Sequence, residues 1–195
     1  YFEGGEAGAR IMKPQVNGGM DLKWGINESF TVDATLIPDF SQVQADDQVL
    51  NLTPYEIQYN ERRQFFTEGT DVFSKADIFY SRRIGAKPRF YNDAMRKADQ
   101  EGLTVVSNPL ETTMINATKL SGRTGSGLGI GFFNAMTGRS AAILSDPVTG
   151  EKVEFTTESF TNYNMVVLDQ SLPNASYVSL VNTNVMRSGY DTGRN

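Results

Sequence analysis

The chain contains no cysteine and no histidine among its 195 residues. The first absence excludes disulfides, thiolate nucleophiles and cysteine-based metal sites. The second removes the commonest general base and the commonest transition-metal ligand. Any catalysis would rest on carboxylates, Tyr, Lys, Ser or Thr. Carboxylate-based hydrolysis is then the one enzymatic chemistry left open, and no catalytic motif marks it. No motif asks for a cofactor. Excess positive charge is missing too. Eighteen Lys and Arg stand against 23 Asp and Glu, a net charge of −5, which argues against a nucleic-acid partner. No apolar run approaches the roughly 20 residues of a spanning helix. Helix signals are almost lacking. The best, "NDAMRKADQEG" at 92–102, has Asn92 or Asp93 as its candidate N-cap and Gly102 as its stop, and reads as a short surface helix.

Strand signals fill the space instead. In "MDLKWGINESFTVDATLI" (20–37), Met20, Leu22, Trp24 and Ile26 alternate with polar residues or glycine, and Phe30, Val32, Ala34 and Leu36 do the same. Each stretch is a period-two strand with one apolar face. Similar segments recur at 113–121, 127–135, 162–170 and 177–186, with a weaker pair, "SAAILS" and "KVEFTTE", around the turn at 146–150. Tight turns join each main pair, whereas connections of roughly 75 residues (38–112) and roughly 25 residues (136–161) separate the pairs. That alternation predicts an all-β, antiparallel up-and-down meander. The apolar faces then look either into a soluble core or outward into lipid, with the polar faces in a wet lumen. Short turns on one side and long loops on the other are the pattern of a transmembrane β-barrel, and Trp24, Phe30, Tyr163 and Tyr177 lie near strand ends, where an aromatic girdle would sit. The chain opens "YFEGGEAGAR" without a Met, and its first strand already runs toward the short-turn side. Both features suggest one domain, 1–195, that is a piece of a longer barrel.

Two local patterns invite sharper readings. In "GRTGSGLGIGFF" (122–133), Gly125, Gly127, Gly129 and Gly131 recur every second residue, without the spacing or following helix of a phosphate loop. They are expected to share one strand face, leaving room for another segment to lie against it. "PDFSQVQADDQ" offers Asp39, Asp46 and Asp47 as oxygen ligands for calcium, but it lacks the EF-hand spacing and reads first as a solvated acidic turn.

The first long connection carries the densest chemistry. Nine of the chain's 21 aromatics fall in residues 55–91, with Arg62, Arg63, Arg82 and Arg83 among Glu56, Glu61, Glu68, Asp71 and Asp77. A segment so aromatic and so balanced in charge is expected to fold as a compact insert with Arg–carboxylate pairs, as a plug or a loop held against the strands. As a glycan site it would use Phe65, Phe66, Tyr80, Arg82 and Arg83 to bind oligosaccharide, with Glu61, Glu68 and Asp71 as candidate hydrolytic carboxylates.

"DATLIPDFSQVQADDQVLNLTPYE", "ERRQFFTEGTDVF" and "FYSRRIGAKPRFYN" closely resemble the signature of the domain-of-unknown-function family 5916. "NATKLSGRTGSGLGIGFFNAMTG" and the segments around "NYNMVVLDQSL" resemble its later parts. The resemblance implies a β-barrel in the outer membrane of a Gram-negative bacterium, with outer-membrane lipid as partner. It also implies that a family-9-type carbohydrate-binding domain and further strands belong to the whole protein. It carries no catalytic residues. Two functions stay open: an outer-membrane barrel associated with glycan, or a soluble all-β carbohydrate-binding or glycoside-hydrolase-like module using carboxylates.

Overall fold

A computed structural model describes residues 19–38, 59–74 and 79–189. In chain order, β1 (Met20–Gly25) and β2 (Phe30–Leu36) precede a single helical turn, α1 (Gln64–Thr67), and a 3-10 turn at Ser81–Arg83. Helix α2 (Tyr91–Glu101) and β3 (Thr104–Ser107) follow, then β4 (Met114–Arg123) and β5 (Leu128–Thr137). The hairpin β6 (Ser140–Ser145) and β7 (Lys152–Glu158) precedes β8 (Thr161–Leu172) and β9 (Ser176–Arg187). Six strands form one antiparallel sheet in the order β1-β2-β4-β5-β8-β9, and three form a second in the order β3-β6-β7. The large sheet is an up-and-down meander with both long connections at one end. It is open: among the described residues β1 and β9 are its edges.

The three predicted hairpins are present and in register, with Leu22 opposite Ala34, Thr118 opposite Asn134 and Asn164 opposite Asn184. Local chemistry fixes their turns. The Asn27 side chain accepts from the backbone N–H of Ser29 and Phe30 at 2.8 and 2.9 Å. Gly127, at φ 86°, supplies the left-handed residue of the second turn. Gly125 and Gly127 therefore belong to the turn and not to the strand face assigned to them. Gly129 and Gly131 do occupy that face. At Gly131 a Cβ would stand 2.9 Å from both Phe73 and Val72 of the first long connection, so that segment lies directly on the strand.

The two long connections are not separate units. β3, at the end of the first, pairs with β6 in the second, and α2 packs Ala94 and Ala98 against Ala142 and Leu144 of that small sheet. α2 ends at Gly102 in the left-handed conformation, as the sequence predicts, but its N-cap is Phe90 rather than Asn92 or Asp93. Phe90 is held there because its N–H donates to the Thr157 carbonyl of β7.

The faces of the large sheet are the main result. Its polar side carries the insert. Its apolar side is bare: Leu22, Trp24, Leu36, Phe132 and Leu180 are 52, 59, 44, 41 and 62% exposed. Trp24 and Phe30 stand on the bare side, and the Phe30 ring covers Gly122. Tyr163 and Tyr177 share the strand parity of the covered side, so the four do not make one girdle. Gly131→Ala is expected to destabilise the protein by about 1–3 kcal/mol through overpacking against Phe73 and Val72. Gly125→Ala, with no atom within 4 Å of its new methyl, should be near neutral. Urea unfolding of the wild type and the two variants compares them.

Candidate functional site

The insert is seated by an aromatic cluster around one residue of the large sheet. Phe133, 3% exposed on β5, lies 4.9 Å from Phe79, 6.0 Å from Phe66, 6.3 Å from Phe73 and 6.5 Å from Phe65, all between ring centroids. Val72, Ile84, Met165 and Val167 complete this core. The small residues Gly131 and Ala135 flank Phe133 on the same face of β5 and give the rings access to it.

Polar groups of the wall bind what the rings leave over. The Lys119 ammonium, 3% exposed, donates to the Phe65 and Glu68 carbonyls at the end of α1, each at 2.5 Å. It also lies 4.7 Å from the Phe65 ring centroid and 3.6 Å from Asp33. A buried ammonium is tolerable only with such partners. Lys23 on β1 donates to the Glu68 carboxylate at 3.0 Å. Farther toward the short turns, Arg123 pairs with buried Asp169, which accepts a second hydrogen bond from Ser179 at 2.5 Å.

Inside the insert, Arg63 and Glu61 form a two-pronged pair, Nε to Oε1 at 2.8 Å and a terminal nitrogen to Oε2 at 2.7 Å. Arg63 also donates to the Ile84 and Ser81 carbonyls, and the Ser81 hydroxyl donates to Glu61 at 2.6 Å. The Arg63 guanidinium lies 4.2 Å from the Phe66 centroid. Burial works to raise the Glu61 carboxyl, but the hydrogen bonds from Arg63 and Ser81 outweigh it and hold the group below its ordinary 4.5. Glu68 is held low by Gln64 and Lys23.

The candidate residues therefore separate by role. Phe66 is buried, and the Phe65 and Arg63 side chains lie against its ring, so in this arrangement it packs rather than stacks on a sugar. Phe65 is half-buried in the same cluster. Tyr80 accepts from the Tyr59 N–H at 2.8 Å, and Arg83 lies 5.6 Å from the Tyr80 centroid. Arg82 sits half-buried on the 3-10 turn. Glu61 and Glu68 take different partners, and Asp71 is exposed. Glu68 pairs with Lys23 of the wall rather than with an insert arginine. Glu56, Asp77 and the calcium candidates Asp39, Asp46 and Asp47 lie outside the described residues. Among the described residues no cluster of three or more acidic side chains is placed to hold a metal. A shallow groove lined by Asp93, Arg96, Lys97, Gln100 and Phe155 lies away from the insert, along α2 and β7. Phe133, Lys119 and the Arg123–Asp169 pair escaped the sequence reading. Their one signal was a charged or bulky residue on the otherwise small, polar face of a strand.

An antiparallel β-sheet protein with the middle of its polar face covered by its own insert is the class that this geometry defines. The chain belongs to the family described as Domain of unknown function (DUF5916), whose profile matches residues 5–195. No curated protein and no solved structure matches the chain.

Arg63→Ala is expected to cost about 1–3 kcal/mol, because it leaves the partly buried Glu61 charge without its cation and the Ile84 and Ser81 carbonyls without their donor. The Glu61 carboxyl is depressed in the fold. Its stabilising contribution is therefore complete above the ordinary value of 4.5 and is lost as pH falls below it. Glu61→Gln should remove that share of the acid sensitivity. Urea unfolding measured at a series of pH values checks both.

Proposed function

We propose that this chain is part of the wall of an outer-membrane β-barrel whose lumen holds the insert as a plug. One observation carries the reading. Among the described residues the sheet leaves its apolar face bare across six strands, while its polar face is covered over the four middle strands. A protein folding in water does the reverse, and soluble monomers rarely expose contiguous apolar patches beyond a few hundred Å². In lipid the arrangement is the expected one: apolar residues out, polar residues inward against water or a plug. No described helix is long and apolar enough to cross a membrane, so spanning would fall to the strands. The two open edges must then pair with further strands, because lipid cannot satisfy backbone groups. The long connections, with α2 and the three-stranded sheet, belong to the outer side and the short turns to the periplasmic side.

The full-length protein tests this directly. It should be recovered in the membrane fraction, and without heating it should migrate on an SDS gel differently from the boiled sample. Recovery in the soluble fraction without detergent, with a single heat-independent band, would contradict the proposal.

A further inference from the structure

The bare face is not uniform, and its boundaries slant. Reading the register across the sheet, Leu22, Ala34, Thr118, Asn134, Asn164 and Asn184 form one row at right angles to the strands. That row is apolar on β1 and β2 and polar from β4 onward. The apolar run includes Met20, the first residue of β1, but stops at Phe132 on β5 and at Leu180 on β9, below Asn134 and Asn182. Following the rows, Met20 lies level with Met186, six residues beyond Leu180. Six residues at about 3.3 Å is about 20 Å, and five strand spacings of about 4.8 Å make about 24 Å. The upper edge of the apolar belt therefore slants about 40° from the perpendicular to the strands.

The short turns give a second, independent line. The first hairpin closes where Ile26 N–H meets the Phe30 carbonyl, and the second where Thr124 N–H meets the Leu128 carbonyl. The third runs on to Leu172 opposite Ser176. On the common rows each hairpin ends two residues beyond the one before it. Four residues over four spacings gives about 35°, in the same direction. Side-chain polarity and chain reversal are set by different residues, yet they agree. Both angles fall in the range by which barrel strands tilt from the membrane normal, about 35–45°. Ile115, Met136 and Met186 above the line are isolated exceptions. Below it stands Gln170, whose amide donates to the Ser126 and Ser171 carbonyls.

The geometry points to a lipid belt that runs obliquely across the strands, bounded on the long-connection side by the asparagines. This inference rests on the wall reading and fixes how that wall sits. The membrane plane is parallel to the line of the three short turns. The strands lean about 40° from its normal, and the belt is deepest on β1, where Met20 to Ile26 spans about 15 Å once that lean is applied. Barrel belts are usually about 25 Å tall, so the bilayer thins against this wall. The asparagines suit the boundary. Asn134 donates to Asn162 and Asn164 at 2.6 and 2.8 Å, and Asn164 donates to Asn184 at 3.1 Å. Their amides are partly satisfied by one another where water begins. A protein partner docking on this face would have no reason to end parallel to the turns.

Spin labels on single cysteines in this chain, which has none of its own, test the assignment in the reconstituted full-length protein with any cysteine outside the chain replaced by serine. Depth is read from the ratio of oxygen to nickel-chelate accessibility. Met20→Cys, Phe132→Cys and Leu180→Cys lie in three different rows and should report the same depth within the hydrocarbon. Leu22→Cys and Asn184→Cys share a row, yet should differ by about 15 Å, five spacings resolved along the normal, with Asn184→Cys open to nickel. Equal depths for that last pair, or lipid burial at Asn184, would overturn the oblique belt and leave the wall reading intact. Nickel access at all five positions, with no oxygen preference, would overturn the wall reading itself.

Discussion

Phe133 is the point on which the two halves of the molecule meet. It projects from the middle of the wall into four phenylalanines of the insert. Around it the same strand face is stripped to Gly131 and Ala135, so the insert can come down onto the backbone. An aromatic core of this kind is favourable through burial of large apolar surface, with ring–ring geometry adding about 0.5–1.5 kcal/mol per pair. The insert brings its own hydrophobic core to a sheet face that has little. The polar residues of that face then act as anchors. Lys119 takes the free carbonyls at the end of α1, Lys23 takes Glu68, and Asp33 lies beside both lysines.

With the polar side occupied, the apolar side has no partner among the described residues. This inversion organises everything else about the molecule. The sheet's alternation is that of an amphipathic strand, but the cover has been placed on the hydrophilic face. The two long connections reinforce the arrangement by folding together at one end through the β3–β6 pairing. Among the described residues the opposite end consists of three tight turns.

Legibility in the sequence followed distance along the chain. The hairpins could be read because alternation and turn residues such as Asn27 and Gly127 are local signals. The Glu61–Arg63 pair was within reach for the same reason, with partners two residues apart. Glu68 was assigned to an insert arginine because its actual partner, Lys23, lies 45 residues away on another element. β3 is four residues long and gains its identity only by pairing with β6, so no periodicity could reveal it. The helix start moved to Phe90 because a tertiary hydrogen bond to Thr157 outranked the side-chain capping preference of Asn92 and Asp93. Aromatics near strand ends suggested a girdle, but parity alone decides which face they join, and Tyr163 joins the insert. The glycine alternation correctly indicated a close approach at Gly131, while its first two members were needed for the turn.

The central claim is that the bare face meets hydrocarbon and the insert face does not. Trp24, the chain's single tryptophan, stands on that face and is 59% exposed. The difference in fluorescence between the full-length protein and its Trp24→Phe variant, reconstituted in bilayers, isolates this side chain. Lipids brominated in the acyl chain should quench that difference signal strongly, while aqueous iodide should leave it nearly unchanged. Strong quenching by iodide with none by brominated lipid would contradict the account.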